Sequence, residues 1–132
     1  MQEPSSAVND LAHRVIGAAI EVHRVLGAGF LESVYEEALA VEMADRRIAF
    51  VRQAPISLDY KGHAVGNARL DFSVGGQLII ELKAVESFHP IQQAQVINYL
   101  RTTQLSLGPL LNFNVLKLND GGIKRIVFTT ST

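Results

Sequence analysis

The chain has no cysteine among its 132 residues, which excludes disulfide staples, thiolate catalysis and cysteine-ligated zinc together. That absence fits a reducing, cytoplasmic setting. No apolar run approaches the roughly 18 residues that a membrane-spanning helix needs. The N-terminus also lacks a basic segment followed by an apolar core, so neither a membrane span nor a secretory signal is expected. Charge of one sign is missing too: the formal net charge is -1. This argues against a dedicated nucleic-acid packaging protein but not against an enzyme whose acids offset a local positive groove. Neither repeats nor low-complexity segments occur. What remains is one domain's worth of chain, long enough to bury about two-thirds of its unfolded surface without staples.

Met1 to Asn9 is polar and reads as a flexible tail, leaving residues 10–132 as a single domain. From Asp10, with Asn9 or Asp10 suited to cap the start, Leu11, Val15, Ala18, Ala19, Val22 and Leu26 recur at helical spacing, and Gly27 and Gly29 stop the run. A second helix is predicted from about Phe30 to Arg47, with Glu32, Tyr35, Glu36 and Leu39 sharing a side. Ile48 to Tyr60 reads as a strand in which Pro55 marks an edge or a bulge. Lys61 and Gly62 turn it into a strand ending at Val74, and a further hairpin makes three consecutive antiparallel strands. Pro90 suits the first turn of a helix whose apolar stripe is Ile91, Ala94, Ile97 and Leu100, with Gln92, Gln95 and Tyr99 alongside. Leu107 to Phe113 and Ile123 to Thr129 read as closing strands around a turn at Asn119 to Gly122.

The stretch Arg69 to Ala84, RLDFSVGGQLIIELKA, concentrates the chemistry. Leu70, Phe72 and Val74 share one phase of the first strand, and Leu78, Ile80 and Leu82 one phase of the second, while Asp71, Glu81 and Lys83 take the opposite phase. A loop of only Gly75 and Gly76 would set Asp71 opposite Ile80. A loop of Gly75, Gly76 and Gln77 instead pairs Val74 with Leu78, Phe72 with Ile80 and Leu70 with Leu82, and sets Asp71 against Glu81. That register puts all six apolar side chains on one face. It also brings two carboxylates within about 4.5 to 5.5 Å at Cβ, where they repel unless a cation lies between them.

Such a pair suits Mg²⁺ or Mn²⁺, which take oxygen ligands and keep several waters; the backbone carbonyl of Leu82 would complete the protein's share with Asp71 and Glu81. Lys83 would then stabilise charge building on a phosphate, or position or deprotonate the attacking water. The plainer alternative is that Asp71, Glu81 and Lys83 form the wet face of an amphipathic hairpin, joined by a surface ion pair. Glu32 and Glu36 either point at water or one of them, Glu32 first, faces the acids as a further ligand or water contact. Gln95 and Tyr99 are either half-wet boundary residues or overhang the site to touch a phosphate backbone or hold Lys83. His13, His23, His63 and His89 form no metal pair by spacing and are expected to be structural or surface residues.

The order helix, helix, three strands, helix, strand, strand, with Asp71, then Glu81 and Lys83, then Gln95 and Tyr99, resembles the PD-(D/E)XK nuclease superfamily. The QxxxY helix resembles its RecB-like exonuclease branch. Gly29, Glu32 and Tyr35, within EVHRVLGAGFLESVYEEALAVEM, match the signature of the GxxExxY proteins, and the likeness continues through LDYKG, RLDFSVGGQLIIELKA, QAQVINYLR and GPLLNFN. It spans about Leu11 to Phe128. The resemblance implies an α/β fold of restriction-endonuclease-like type, a central mixed β-sheet flanked by α-helices. It also implies Asp71 and Glu81 as metal ligands, Lys83 as catalytic lysine, Glu32 as accessory acid and Gln95 with Tyr99 as a supporting pair. Leu70 stands where the superfamily usually has proline before the first acid.

The expected reaction is hydrolysis of a DNA phosphodiester, with RNA as the lesser choice, by a metal-activated water, in exonuclease or endonuclease mode. The runner-up is a non-catalytic module that binds nucleic acid or a protein on the same fold, since the basic residues are scattered among Arg46, Arg47, Arg52, Arg69, Arg101, Lys124 and Arg125. A third role, a structural subunit of a homodimer, would show as an exposed apolar surface.

Overall fold

The computed structural model describes residues 3–129. Met1 and Gln2 of the expected tail, and residues 130–132 of the expected domain, lie outside them. Helix α1 spans Ser6–Leu26. The Ser5 hydroxyl accepts the Val8 N–H at 3.2 Å, so the cap lies before Asn9 and residues 6–9, expected in the tail, are helical. Gly27 ends α1 with φ 73°, a backbone that glycine adopts freely. Helix α2, Glu32–Asp45, buries Tyr35, Leu39, Ala40 and Met43.

Strands β1 (Phe50–Tyr60), β2 (His63–Val74), β3 (Leu78–Lys83), β4 (Leu110–Asn112) and β5 (Ile123–Lys124) form one sheet in that order. The β1–β2, β2–β3 and β4–β5 pairs are antiparallel and β3–β4 is parallel, so the sheet is mixed. Helix α3 (Pro90–Thr103) makes the crossover that a parallel pair requires. Pro55 is tolerated because β1 is an edge strand. His89 caps α3: its Nδ1 accepts the Ile91 N–H at 3.1 Å, and its own N–H donates to Gln92 Oε1 at 2.9 Å.

Two apolar clusters sandwich the sheet. Phe72, Val74, Leu78, Ile80 and Leu82 pack with α1 and α2, while Ile79, Leu110 and Ile126 pack with Val96 and Leu100 of α3. β3 is therefore covered on both sides, which explains its nearly continuous apolar run.

Leu70 departs from the single-face expectation: it lies in the α3 cluster with Ala54, not with Phe72. The reversal coincides with Gln53 on the neighbouring strand, whose φ of 49° is left-handed and rotates the strand. The α3 stripe also differs. Val96 and Leu100 are buried, whereas Ile91 is 69% exposed. The helix meets the sheet through its second half, where Gly108 admits it: a Cβ there would lie 2.9 Å from Val96 Cγ1. The last two expected strands shorten to β4 and β5, joined further by an isolated Leu107–Val127 bridge.

Candidate functional site

The β2–β3 turn holds Gly75, Gly76 and Gln77, both glycines with positive φ, and pairs Val74 with Leu78, Ser73 with Ile79 and Phe72 with Ile80. The ladder stops there. One step further, Asp71 and Glu81 face each other and side chains replace the backbone pairs. Asp71 Oδ2 accepts the Leu82 N–H at 2.8 Å, and the Asp71 N–H donates to Glu81 Oε2 at 3.4 Å. The Leu82 N–H thus faces β2, the side that the carbonyl of the same residue also takes in a regular strand.

Glu81 is 4% exposed, and its Oε1 is buried with no hydrogen-bond partner. Burial pushes its carboxyl up to about 9, with the hydrogen bond and charge of Asp71 adding to the rise, while the Asp71 backbone N–H and Lys83 oppose it. A divalent cation suits this donor set: one buried carboxylate oxygen wants a partner, and a second carboxylate stands beside it. Among the described residues no group of three or more His, Cys, Asp or Glu side chains could hold a metal ion. Remaining oxygens would have to come from the Leu82 carbonyl, water or a phosphate.

Lys83 is half-buried at the end of β3, next to Asn112 in the parallel register. Its carbonyl accepts the Phe113 N–H at 2.9 Å. Beyond it, the Asn112 amide clasps Val85 in both directions, donating to its carbonyl at 2.8 Å and accepting its N–H at 3.0 Å. Asn112 thus continues the ladder past its last backbone pair and seats the strand that carries Lys83.

Glu32 opens α2. Its carboxyl is raised by partial desolvation and by the charges of Asp71 and Glu36, against the pull of Lys83. Glu32 thus feels the charges of Asp71 and Lys83, and among the described residues it belongs to no three-acid ligand set. Its loop is tied by Tyr35, whose hydroxyl donates to the Gly27 carbonyl at 2.6 Å and accepts the Phe30 N–H at 3.2 Å, with the ring stacked on Phe113 at 4.6 Å.

On α3, Tyr99 is half-buried: desolvation and then the charges of Glu81 and Asp71 raise its phenol. Gln95 lies one turn earlier and exposed, lining with Tyr99 and Leu58 an open groove between α3 and β1. It makes no hydrogen bond to the acids or Lys83 among the described residues. Three residues around the site had no site role legible in the sequence: Asn112, within GPLLNFN, and, on β1, Arg52 and Gln53. Arg52 Nη2 bonds Glu36 Oε2 at 2.7 Å and Glu37 Oε1 at 2.9 Å, and Gln53 Nε2 bonds Glu36 Oε1 at 2.8 Å.

Residues 9–126 match a family model described as the PD-(D/E)XK nuclease superfamily. No curated protein and no solved structure matches the chain. Among the described residues, no helix is long and apolar enough to cross a membrane.

Proposed function

Because the chain belongs to the PD-(D/E)XK nuclease superfamily, we propose that it is a metal-dependent nuclease that hydrolyses a phosphodiester bond, of DNA before RNA, at the Asp71–Glu81 pair. The observation that carries this reading is the buried, unpartnered Glu81 Oε1 across a broken ladder from Asp71. Asp71, Glu81 and the Leu82 carbonyl would hold Mg²⁺ or Mn²⁺. The ion, when bound, polarises the phosphate and makes its water a better nucleophile. Lys83 offers an ammonium for the charge that grows on the phosphate oxygens, and it can orient the attacking water. Glu32, the neighbour of Lys83, steadies that ammonium or holds a water. Tyr99 and Gln95 present a hydroxyl and an amide from α3 to the nucleic-acid backbone.

Within the superfamily, the reading extends to the GxxExxY proteins. Gly29 takes φ 104° and Tyr35 ties the loop just before Glu32, so the three motif residues act as one device that sets the accessory acid. A second reading, a module that binds a partner protein without cutting nucleic acid, has support in the charge distribution: Arg24, Arg46 and Arg52 are all engaged by glutamates and add little grip on phosphates.

Calorimetry with Mg²⁺ and Mn²⁺, run beside a cleavage panel of single-stranded, duplex, flapped and branched DNA, separates the two. Metal binding with cleavage that Asp71→Ala and Lys83→Ala abolish is the expected result. No binding at millimolar metal selects the non-catalytic module, and equal cleavage by all three proteins removes this site from the chemistry.

A further inference from the structure

The mid-strand residue Gln53 has a left-handed φ of 49°, where a side chain other than glycine persists only if its surroundings hold it. On either side the β1–β2 register is unchanged, Arg52 with Phe72 and Ala54 with Leu70, and the Gln53–Asp71 step between them is missing from the ladder. No residue is inserted. The break is a twist centred on Gln53, and both strands change faces across it: Phe50 and Phe72 pack toward α1 and α2, Ala54 and Leu70 toward α3. Asp71 is the β2 residue at that crossing, so its carboxylate reaches the place in the ladder where a backbone carbonyl would otherwise accept the Leu82 N–H.

What holds Gln53 comes from α2. Glu36 is gripped through both oxygens, Oε1 by Gln53 at 2.8 Å and Oε2 by Arg52 at 2.7 Å. Glu36 also lies one turn after Glu32 on the same side of the helix.

We propose that Glu36, Gln53 and Arg52 form a latch from α2 to β1 that keeps Asp71 in the gap opposite Glu81. All three are positioning residues and touch no substrate. The proposal rests on the metal-dependent reading of that pair. It requires that Gln53's twist, and not the tether as such, delivers Asp71, so a residue that takes positive φ unaided should replace the tether.

Three variants of the full chain decide it: Glu36→Ala, Gln53→Gly and the two combined. Amide exchange at Leu82 reports the Asp71 carboxylate without metal or substrate, and is read beside Mn²⁺ affinity by calorimetry. Glu36→Ala should speed Leu82 exchange and weaken Mn²⁺ binding by about tenfold or more, as loss of a ligand's supporting contact does, while Leu78 and Ile80 exchange as before. Gln53→Gly alone should match the natural protein, and adding it to Glu36→Ala should restore both readouts. Unchanged Leu82 exchange in Glu36→Ala overturns the latch, as does failure of the glycine to rescue. Should Glu36→Ala not fold, Gln53→Ala against Gln53→Gly carries the same contrast, because alanine lacks both the tether and the left-handed freedom. A natural chain that binds no Mn²⁺ sinks the metal reading, and the exchange contrast then decides the latch by itself.

Discussion

The two ends of the β2–β3 hairpin differ in what joins the strands. At the turn end, Val74–Leu78 to Phe72–Ile80, backbone pairs with backbone and apolar side chains fill the core. At the open end, the carboxylates of Asp71 and Glu81 take the hydrogen bonds, and one buried oxygen is left without a partner. The first end secures the fold. The second gives up regular pairing and leaves a buried carboxyl oxygen with no hydrogen-bond partner, a local departure of the kind that marks functional sites.

That contrast breaks most visibly at the open end. Asp71→Ala and Lys83→Ala should each lower Mg²⁺-dependent DNA cleavage by about 10²–10⁴-fold, with circular dichroism unchanged. Cleavage retained by both would mean that the open end is inert. At the turn end, Ile80→Ala should cost about 2–5 kcal/mol in urea unfolding through the cavity it leaves, with Mn²⁺ affinity of the folded protein preserved.

Glu81 sharpens the comparison through pH. Its carboxyl is held up to about 9 against an ordinary 4.5. Across that window the folded metal-free chain keeps a proton that the unfolded chain has lost. Stability is therefore full below the lower value and falls as pH rises through the window. Glu81→Gln should flatten that fall and raise stability near neutral pH by about 1–4 kcal/mol, measured by urea unfolding, while abolishing cleavage. A fall equally steep in the variant would assign the pH dependence to another group. The smallest effect is expected at Tyr35→Phe, which removes the hydroxyl tying Gly27 to Phe30: about 0.5–1.5 kcal/mol in unfolding. A larger loss in cleavage than in stability would show that the loop's job is to place Glu32.

Much of this arrangement was legible in the sequence because it follows from alternation. A loop of three residues puts Val74, Phe72 and Ile80 on one face, and that register brings Asp71 beside Glu81. Pro90 marked the first turn of α3, and Pro55 marked an edge. The start of α1 lies earlier than expected because Ser5 caps through a single hydroxyl ahead of a first turn whose one large apolar residue, Val8, packs on the core among polar neighbours. The change of face at Leu70 was invisible for a different reason: glutamine carries no preference for positive φ, and the contacts that impose it come from Glu36, 17 residues away. The role of Asn112 within GPLLNFN is hidden for the same reason, since its two-way clasp on Val85 spans 27 residues.

The parallel pairing of β3 with β4 also sets an order of assembly. The two acids belong to one hairpin, whose short loop closes on the microsecond scale typical of hairpins, and the α2 contacts to β1 that hold Asp71 come from chain that precedes it. The seat of the lysine waits for α3 to cross over and for Asn112 to reach Val85, a closure of greater loop entropy and slower search. Folding should therefore bring the two carboxylates together before the strand that carries Lys83 gains its parallel neighbour.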